Sequence, residues 1–435
     1  MTTLSSVSAR WSSVSCQLAP RSSASRTGRS VGEGRDSHLS GADARSAASG
    51  GGVVSPSSGT EPSVVCFPFV GHVVGGSHIS TLLLMQRLHA AGIEVRVPLL
   101  VDGPVARLLE RNQLPWDHVE VPSSAWRGSL TTQLRAGSRA VPFLGRYLHT
   151  HDVDVVHTND GRMHRLWGTA AITRRRPWIW HHRTPGLSAS MGVLAGRADR
   201  VVAVSHYARD QLSAGVRRRT TVVDNPFLHV DPTAGVDVRR ELRMLTGEVD
   251  RPMVGYVSNM RQSRKRPEFF LDVAAGLAER GVDVSFPMIG AVPPELSRAL
   301  LQSATERGLG TALQLLGSRY PIEPWIAACD VLVVPALDEP FGRTLVEAAM
   351  LGTPVVASRD GGHPEIIDHG RTGVLFDPSD VRGAVDGVAG LLADDERRQG
   401  MGAAARAAAR KRYSVDRHAE AILEVYRDVR GSRRG

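Results

Sequence analysis

Short apolar runs alternate with amphipathic segments along the chain from residue 63 onward. The first series lies within residues 63–227 and includes SVVCFPFVG, IEVRVPLLV, VDVVHTN, PWIWHHR and RVVAVSH. The second lies within residues 253–358 and includes MVGYVSN, VDVSFPMIG, LQLLG, DVLVVPA and PVVAS. Strands that alternate with helices favour parallel sheets covered on both faces. The sequence therefore predicts an α/β protein with two Rossmann-like, doubly wound domains facing a cleft, where ligands bind at the carboxyl ends of the strands.

Composition divides the chain into four segments. Residues 1–60 contain 17 Ser and 8 Gly with little apolar periodicity, so we expect a disordered tail. A flexible tail, or a start codon placed too far upstream, explains this Arg- and Ser-rich segment better than an organelle transit peptide does. We expect one domain over residues 61–232 and a second over 233–415. Residues 416–435 are predicted to form an amphipathic helix that packs back on the first domain.

The cysteines and the apolar runs bear on the compartment. None of the three cysteines, Cys16, Cys66 and Cys329, stands in a paired or metal-like spacing, and the last two lie in apolar surroundings typical of core positions. No apolar run approaches the ~18 residues that a membrane span needs. We therefore expect a cytoplasmic protein, with peripheral contact at the inner face of the membrane allowed.

Positive charge is concentrated in the first domain. Residues 61–230 carry 20 Arg and 12 acidic residues, a net charge of +8, whereas residues 231–435 carry 27 basic and 29 acidic residues, a net charge of −2. Clusters at Arg174–Arg176 and Arg217–Arg219 contribute to the excess. This asymmetry predicts that the first domain meets an anionic partner or an anionic membrane surface.

Two glutamates flank a predicted strand-to-helix turn in DEPFGRTLVEAAMLGTPVVAS (338–358). Glu339 follows the buried strand DVLVVPA, and Glu347 lies one turn inside the next helix, leaning toward its N-terminus. The free amides of Gly342, Arg343 and Thr344 at the helix start favour a phosphate. Ionised carboxylates accept hydrogen bonds from vicinal diols. The pattern therefore indicates a ribose and a hexose joined by a diphosphate.

Residues 338–380, DEPFGRTLVEAAMLGTPVVASRDGGHPEIIDHGRTGVLFDPSD, resemble the donor-binding region of the retaining family-four glycosyltransferases, which have the GT-B fold. The resemblance extends over residues 63–430 and is weaker in the first domain. It implies that Glu347 grips the nucleotide ribose and that Glu339 contacts the donor sugar. It further implies a retaining hexosyltransferase that uses a nucleoside diphosphate sugar, a first domain that meets the acceptor, and no metal or other cofactor.

The loop SNMRQSRKRPEFFL (258–271) resembles the family's GR-x-x-x-x-KG loop, whose cations neutralise the donor diphosphate. Lys265 matches the family's lysine. The family's arginine position falls on Asn259, which is a departure. Either Arg261 or Arg264 is expected to replace it, since a guanidinium on either side of Lys265 reaches a phosphate.

The first domain supplies further candidates at predicted strand ends. Gly75 and Gly76 form a turn that allows close approach to a phosphate or sugar. WHHRT (180–184) resembles the segment in which family members carry a histidine that touches the transferred sugar. We prefer His182 to His181 as this histidine, since alternation along a strand points only one of the two into the cleft. His157 and Asn159 end another strand.

The predicted roles are as follows. The catalytic residues are His182, Glu339 and Lys265; the donor-binding residues are Gly75, Gly76, Arg261, Arg264, Lys265, Phe341, Gly342, Arg343, Thr344 and Glu347; the acceptor-side residues are His157, Asn159 and His181.

Several alternatives stay open at this point. Another GT-B enzyme, such as a sugar-nucleotide epimerase or a phosphorylase, fits the same pattern, and a non-catalytic protein that binds nucleic acid fits the basic first domain, although we expect no nucleic-acid partner. A glycosidase with two carboxylates leaves the phosphate-ready helix start unexplained. Asp152 and Asp154 resemble a DxD metal clamp but precede a strand, away from the cleft, so no metal site is predicted. Ser205 suits a helix N-cap.

Overall fold

The structure, a computed structural model, describes residues 61–127, 129–229, 235–246 and 251–434. The expectations for residues 1–60 and for Cys16 lie outside these ranges. In the described ranges the chain forms two six-stranded sheets, and every pairing within them is parallel.

The secondary structure of the first domain spans residues 64–222. Its elements, in chain order, are β1 (Val64–Cys66), α1 (Gly76–Ala90), β2 (Glu94–Arg96), β3 (Pro98–Leu99), α2 (Pro104–Arg111), β4 (Asp117–His118), α3 (Leu130–Thr150), β5 (Val155–Thr158), α4 (Gly161–Thr173), β6 (Trp178–His182), α5 (Ala189–Ala195), β7 (Arg200–Ala203), α6 (His206–Asp210), α7 (Ala214–Arg217) and β8 (Thr220–Val222). The strand order is β2-β1-β5-β6-β7-β8, and β3 and β4 form a separate parallel pair.

The second sheet is built from residues 254–376. The remaining elements are α8 (Gly235–Thr246), β9 (Val254–Val257), α9 (Pro267–Glu279), β10 (Phe286–Ile289), α10 (Pro294–Glu306), β11 (Leu313–Gly317), α11 (Glu323–Ala327), β12 (Val331–Val334), α12 (Arg343–Leu351), β13 (Val355–Ser358), α13 (His363–Ile366), β14 (Val374–Phe376), α14 (Val381–Leu392), α15 (Asp395–Arg412) and α16 (Val415–Arg434). The strand order is β11-β10-β9-β12-β13-β14.

Burial on both faces explains why the strands read as continuous apolar runs. One face of the first sheet packs with α1, α2 and α16, while the other packs with α3 and α4. The second sheet is likewise covered by α9 and α14 on one face and by α11 and α12 on the other. The prediction of two doubly wound parallel-sheet domains is confirmed. Cys66 and Cys329 are buried and unpaired, as core positions should be, and burial raises the pKa of each thiol.

Each sheet has one point where the strand order reverses, between β1 and β5 in the first and between β9 and β12 in the second. Connections from the two central strands at such a point leave in opposite directions and open a crevice at the strand ends. The Lys265 loop follows β9, and the Glu339 loop follows β12. The two predicted donor loops therefore meet at the crevice of the second sheet.

Helix α16 returns from the second domain to the first. Its apolar residues, including Ile422 and Val425, join the core that contains β1, β5 and β6. The Tyr426 hydroxyl donates to Nδ1 of His157 over 2.6 Å. Arg430 pairs with Asp154, whose carboxylate also accepts the N–H groups of residues 63 and 64 at the amino end of the sheet. The DxD-like pair therefore lies at the amino end, and Asp154 is committed to holding β1, β5 and α16 together.

An aromatic cluster joins the two domains. The rings of Phe227, Phe341 and Tyr413 pack with centroids 5.8 to 6.2 Å apart.

Ser205 accepts the N–H of Ala208 at the start of α6, the N-cap role that its position predicts. None of the described helices combines the length and the apolarity that crossing a bilayer requires.

Candidate functional site

A cavity of about 450 Å³ opens between the two domains at the carboxyl ends of their strands. The second domain lines it with the loop after β9, the loop after β12 and the start of α12. The first domain lines it with the start of α1 and with residues that follow β5, β6 and β8. The predicted site residues in its wall are Gly76, Asn159, Arg264, Lys265, Glu339, Phe341, Gly342, Arg343 and Thr344.

Glu339 forms a three-membered ionic cluster in this wall. One of its carboxylate oxygens accepts from Nζ of Lys265 at 2.5 Å and from Nη1 of Arg264 at 2.7 Å. The carboxyl side chain is 14% exposed. Burial alone would raise the pKa of Glu339, but the charges of Lys265 and Arg264 outweigh that effect and hold the pKa below its ordinary value. Glu339 is therefore an ionised acceptor with a surplus of positive charge beside it.

Two glycines let the chain fold tightly around Glu339. Gly361 has a φ of +59°, and a Cβ there would lie 2.6 Å from the carbonyl oxygen of Glu339. A Cβ on Gly362 would lie 3.0 Å from the carbonyl oxygens of Pro340 and Phe341. The GGHPE segment therefore packs against the Glu339 loop at distances that larger residues do not permit.

The start of α12 reaches across the cavity. Nη1 of Arg343 donates to Ser80 of α1 at 2.5 Å, and Nη2 donates to Glu347 at 3.1 Å. A Cβ on Gly76 would lie 2.4 Å from Cδ of Arg343. Gly76 thus gives Arg343 room to cross from the second domain to the first. Gly75, the N-cap of α1, lies outside the cavity wall.

Glu347 lies behind Arg343 and does not line the cavity. Burial raises the pKa of Glu347, and the adjacent Arg343 offsets part of the rise. A ligand that displaces Arg343 would expose a carboxylate already positioned to accept hydrogen bonds. The predicted contact with ribose therefore requires Arg343 to move aside first.

The structure distinguishes the two arginines of the β9 loop by position. Arg264 lines the cavity beside Lys265, whereas Arg261 is exposed and lies outside the wall. The side-chain oxygen of Asn259 accepts the backbone N–H of Arg261 and so closes the turn. Arg264 is thus the arginine placed to act with Lys265, and the departure at Asn259 has a local structural role.

The three predicted histidines do not reach the cavity. His157, His181 and His182 are at most 1% exposed, and none lines the wall. The residue that follows β6, Arg183, lines it instead. His182, the preferred histidine, therefore lies behind the cavity wall in this structure, because the chain turns toward the cavity one residue later, after β6 has ended.

Sequence reasoning missed Arg183, Asn225 and His363, all of which line the cavity. His363 donates from Nδ1 to the carbonyl oxygen of Ser358, so its Nε2 carries a lone pair and has no partner. A signal for Arg183 was present in the sequence. It follows a wholly apolar strand start and two histidines, and the nearest acidic residues along the chain are Asp160 and Asp199.

Comparison with known proteins assigns both domains. A family model described as Glycosyltransferase Family 4 matches residues 74–227, and one described as Glycosyl transferases group 1 matches residues 251–394. The chain belongs to the family-four glycosyltransferases. The two matches fall on separate sheets, so the cavity between them lies where the two family-four domains meet.

Curated family-four relatives match mainly over part of their length. A D-inositol 3-phosphate glycosyltransferase of Corynebacterium urealyticum is 34% identical over 184 residues, which are 41% of this chain and 43% of that protein. An alpha-D-kanosaminyltransferase of Streptomyces kanamyceticus is 28% identical over 329 residues, 70% of this chain and 83% of that protein. The chain thus spans about two fifths of the length of the first of these relatives.

Solved structures confirm the GT-B fold. An Anabaena protein crystallised with UDP and glucose superposes with a TM-score of 0.69 at 24% identity, covering 83% of this chain and 98% of that one. A glycosyltransferase from Rickettsia africae superposes with a TM-score of 0.71 at 16% identity, covering 84% of this chain and 98% of that one. At these identities the likeness establishes the fold alone.

The ionic cluster predicts a pH-dependent stability. The lowered pKa of Glu339 means that its ion pairs stabilise the folded state above the unfolded value of ~4.3 and lose this effect as pH falls through the folded value. Glu339→Gln should therefore lower the free energy of unfolding by about 1.5–3 kcal/mol at pH 7. The difference from wild type should shrink below pH ~4. Denaturant unfolding across pH 3–7 measures it.

The exposed carboxylate Glu424 on α16 provides the matched control. Glu424→Gln should match wild type at every pH. An equal and pH-independent loss in both variants would contradict the ionic cluster at Glu339.

Proposed function

We propose that this protein transfers a hexose from a nucleoside diphosphate sugar to an acceptor, with retention of anomeric configuration and without a metal ion. The observation that carries the proposal is the Glu339–Lys265–Arg264 cluster beside the first turn of α12, inside the cavity between the domains. Acceptors, cations and free backbone amides are thereby brought to one place, which suits a sugar joined to a diphosphate.

The leaving diphosphate is stabilised electrostatically in this scheme. The amides of Gly342, Arg343 and Thr344 face it at the helix start, and Lys265 and Arg264 supply charge in a partly buried site where Coulomb interactions are stronger than in water. As the diphosphate draws Lys265 and Arg264 toward itself, Glu339 becomes free to accept hydrogen bonds from sugar hydroxyls. Retention is supported by family membership, with front-face attack assisted by the leaving phosphate.

The relatives support the general reaction class. The curated matches are named for glycosyl and kanosaminyl transfer, and an Anabaena structure with the same fold was solved with UDP and glucose. We therefore propose UDP-hexoses as the first donors to test. The inositol 3-phosphate relative suggests an alcohol acceptor that carries a phosphate.

The reaction is tested by donor screening followed by turnover in EDTA. Nucleotide sugars are ranked by thermal shift, because a donor that binds the folded state raises the melting temperature. The best donor is then mixed with an acceptor panel that includes inositol phosphates. Nucleoside diphosphate should be released only when an acceptor is present, and EDTA should leave the rate unchanged.

Other results would contradict parts of this proposal. Conversion of the donor to an isomeric nucleotide sugar without any acceptor would identify an epimerase. Release that requires inorganic phosphate would identify a phosphorylase. Loss of activity in EDTA that manganese or magnesium restores would contradict the metal-free reaction.

The two glutamates should separate in calorimetry. Glu347→Ala removes the proposed ribose acceptor, so binding of the free nucleoside diphosphate should weaken by about tenfold or more, as expected for loss of a charge-assisted hydrogen bond. Glu339→Ala removes the proposed sugar contact, so free diphosphate should bind within about threefold of wild type while transfer falls at least a hundredfold. Equal losses of diphosphate affinity in both variants would refute the division of roles.

An anionic membrane surface is the proposed site at which the acceptor is presented. Helix α3 contains no acidic residue, and its exposed face carries Arg135, Arg139 and Arg146 beside Phe143, which is 52% exposed. A basic helix face with an exposed aromatic ring suits an anionic interface. Arg174 packs against α3 at Gly145 and so belongs to the same surface.

The second predicted basic cluster is partly structural. The guanidinium of Arg219 donates to the carbonyl oxygens of Gly196, Ala198 and Asp199, so charge reversal there would disturb packing. Helix α3 therefore offers the cleaner test of membrane contact.

Vesicle binding tests this surface. Wild-type protein should bind vesicles of phosphatidylglycerol at low salt and release them as the ionic strength rises past 0.1 M, where screening acts over ~10 Å. Changing Arg135, Arg139 and Arg146 to Glu should abolish the binding.

The same charge change at three exposed positions of α15, Arg397, Arg410 and Lys411, is the control and should retain vesicle binding. Equal losses in both triple variants would show that overall charge, and not α3, governs the contact. Efficient turnover of a neutral soluble acceptor with no vesicle binding would refute the membrane proposal.

A further inference from the structure

Arg183 is an arginine in the cavity wall without an acidic partner. Its guanidinium donates to side-chain oxygens of Asn159 at 3.1 Å, Asn225 at 2.5 Å and Thr81 at 3.4 Å, and to Nδ1 of His181 at 3.2 Å. All four acceptors are neutral, and none of the residues in the described ranges forms an ion pair with Arg183. Its positive charge therefore remains uncompensated beside the cavity.

The hydrogen-bond directions around Arg183 are fixed by chemistry. A guanidinium only donates, so Nδ1 of His181 accepts, and Nε2 of His157 must then be the N–H that donates to the same Nδ1 at 2.9 Å. Nδ1 of His157 in turn accepts from Tyr426. Burial lowers the pKa of both histidines well below the ordinary value, which keeps them neutral. His181 and His157 are thus positioning residues that orient Arg183 without adding charge.

Asn159 adds an unsatisfied donor to the same wall. Its Oδ1 accepts from Nε of Arg183, a group that only donates, and this sets the orientation of the amide. Its Nδ2 is buried and has no hydrogen-bond partner. Asn159 lines the cavity, and the residue is 5% exposed. A buried amide without a partner is costly unless a ligand completes it.

We propose that Arg183 and the Nδ2 group of Asn159 form a phosphate subsite on the first-domain wall of the cavity, and that it receives a phosphate carried by the acceptor. This proposal rests on the proposed glycosyl transfer. A phosphate monoester carries a charge of about −1.5 to −2 at neutral pH. The subsite offers this dianion one uncompensated guanidinium and one amide without a partner.

The donor diphosphate is the less suitable occupant of this subsite. It already has Lys265, Arg264 and the α12 amides on the second domain. Arg183 is held by residues of the first domain alone, which lie after β5, on β6, after β8 and on α1. An anion bound at Arg183 therefore contacts the first domain, which is the domain that we expect to meet the acceptor.

The test titrates inorganic phosphate, at constant ionic strength, into protein saturated with a nucleoside diphosphate chosen from UDP, GDP and ADP. Wild type should bind phosphate, and Arg183→Gln should weaken that affinity at least tenfold while leaving diphosphate affinity unchanged. Arg183→Lys should retain part of the affinity. Arg107→Gln, which removes an exposed charge of α2 outside the cavity wall, should bind phosphate as wild type does.

Four outcomes would overturn the assignment. Phosphate affinity that is unchanged in Arg183→Gln, or absent from the diphosphate-bound wild type, would remove the subsite. Competition between the diphosphate and inorganic phosphate would place the anion in the donor site. If Arg183→Gln lowers the affinity for UDP-glucuronate more than the affinity for UDP-glucose, Arg183 contacts an acidic donor sugar instead.

Failure of the proposed reaction would look different. A protein that binds none of the three diphosphates is not a nucleotide-sugar transferase of the proposed kind. The subsite is then tested by titrating inorganic phosphate into the unliganded protein.

The source of the phosphate is resolved by competition. Displacement of inorganic phosphate by glycerol 3-phosphate alone supports a soluble phosphate ester, and displacement also by vesicles of phosphatidic acid supports a lipid headgroup. Displacement by neither contradicts an organic phosphate acceptor.

Discussion

The contact of Glu339 with Lys265 and Arg264 determines how the cavity is organised. It joins the loops that follow β9 and β12, the two neighbouring strands between which the strand order of the second sheet reverses. The carboxylate of one loop is the common partner of both cations of the other, and the backbone N–H of Leu337 also donates to the carbonyl oxygen of Arg264. The glycines that crowd the Glu339 backbone and the helix that begins at Arg343 are consequences of the same turn. A diphosphate that competes for these cations would reach the carboxylate, the cations and the helix amides together.

The two walls of the cavity differ in how their charges are balanced. In the second domain, cations are paired with carboxylates, since Lys265 and Arg264 meet Glu339 and Arg343 meets Glu347. In the first domain, Arg183 is surrounded by neutral acceptors. Burial, with a further effect from Arg343, lowers the pKa of Arg183 to about 9, which leaves the guanidinium charged at neutral pH. A ligand must therefore exchange partners on one wall, whereas on the other it meets a charge that has none.

Much of the fold was accessible from the sequence because strands buried on both faces give uninterrupted apolar runs. The same runs locate strand ends, which is why Glu339, Lys265 and Asn159 could be expected at one edge of their sheets, where they line the cavity. The orientation of side chains just past a strand end was not accessible. Alternation applied to WHHRT selects between His181 and His182, but the pleat ends at His182 and Arg183 turns into the cavity. Arg343 was predicted for its backbone amide alone, since its contact with Ser80 depends on how the domains face each other.

Helix α16 connects these observations through the first-domain core. It follows α15 of the second domain along the chain, yet its apolar face lies among β1, β5 and β6. Tyr426 donates to His157, His157 donates to His181, and His181 accepts from Arg183, so one continuous set of hydrogen bonds runs from α16 to the cavity wall. Tyr426, His157 and His181 are buried, and removing one of them leaves the next without its hydrogen bond. The orientation of Arg183 is therefore set by the last helix of the chain as much as by the strand that precedes it.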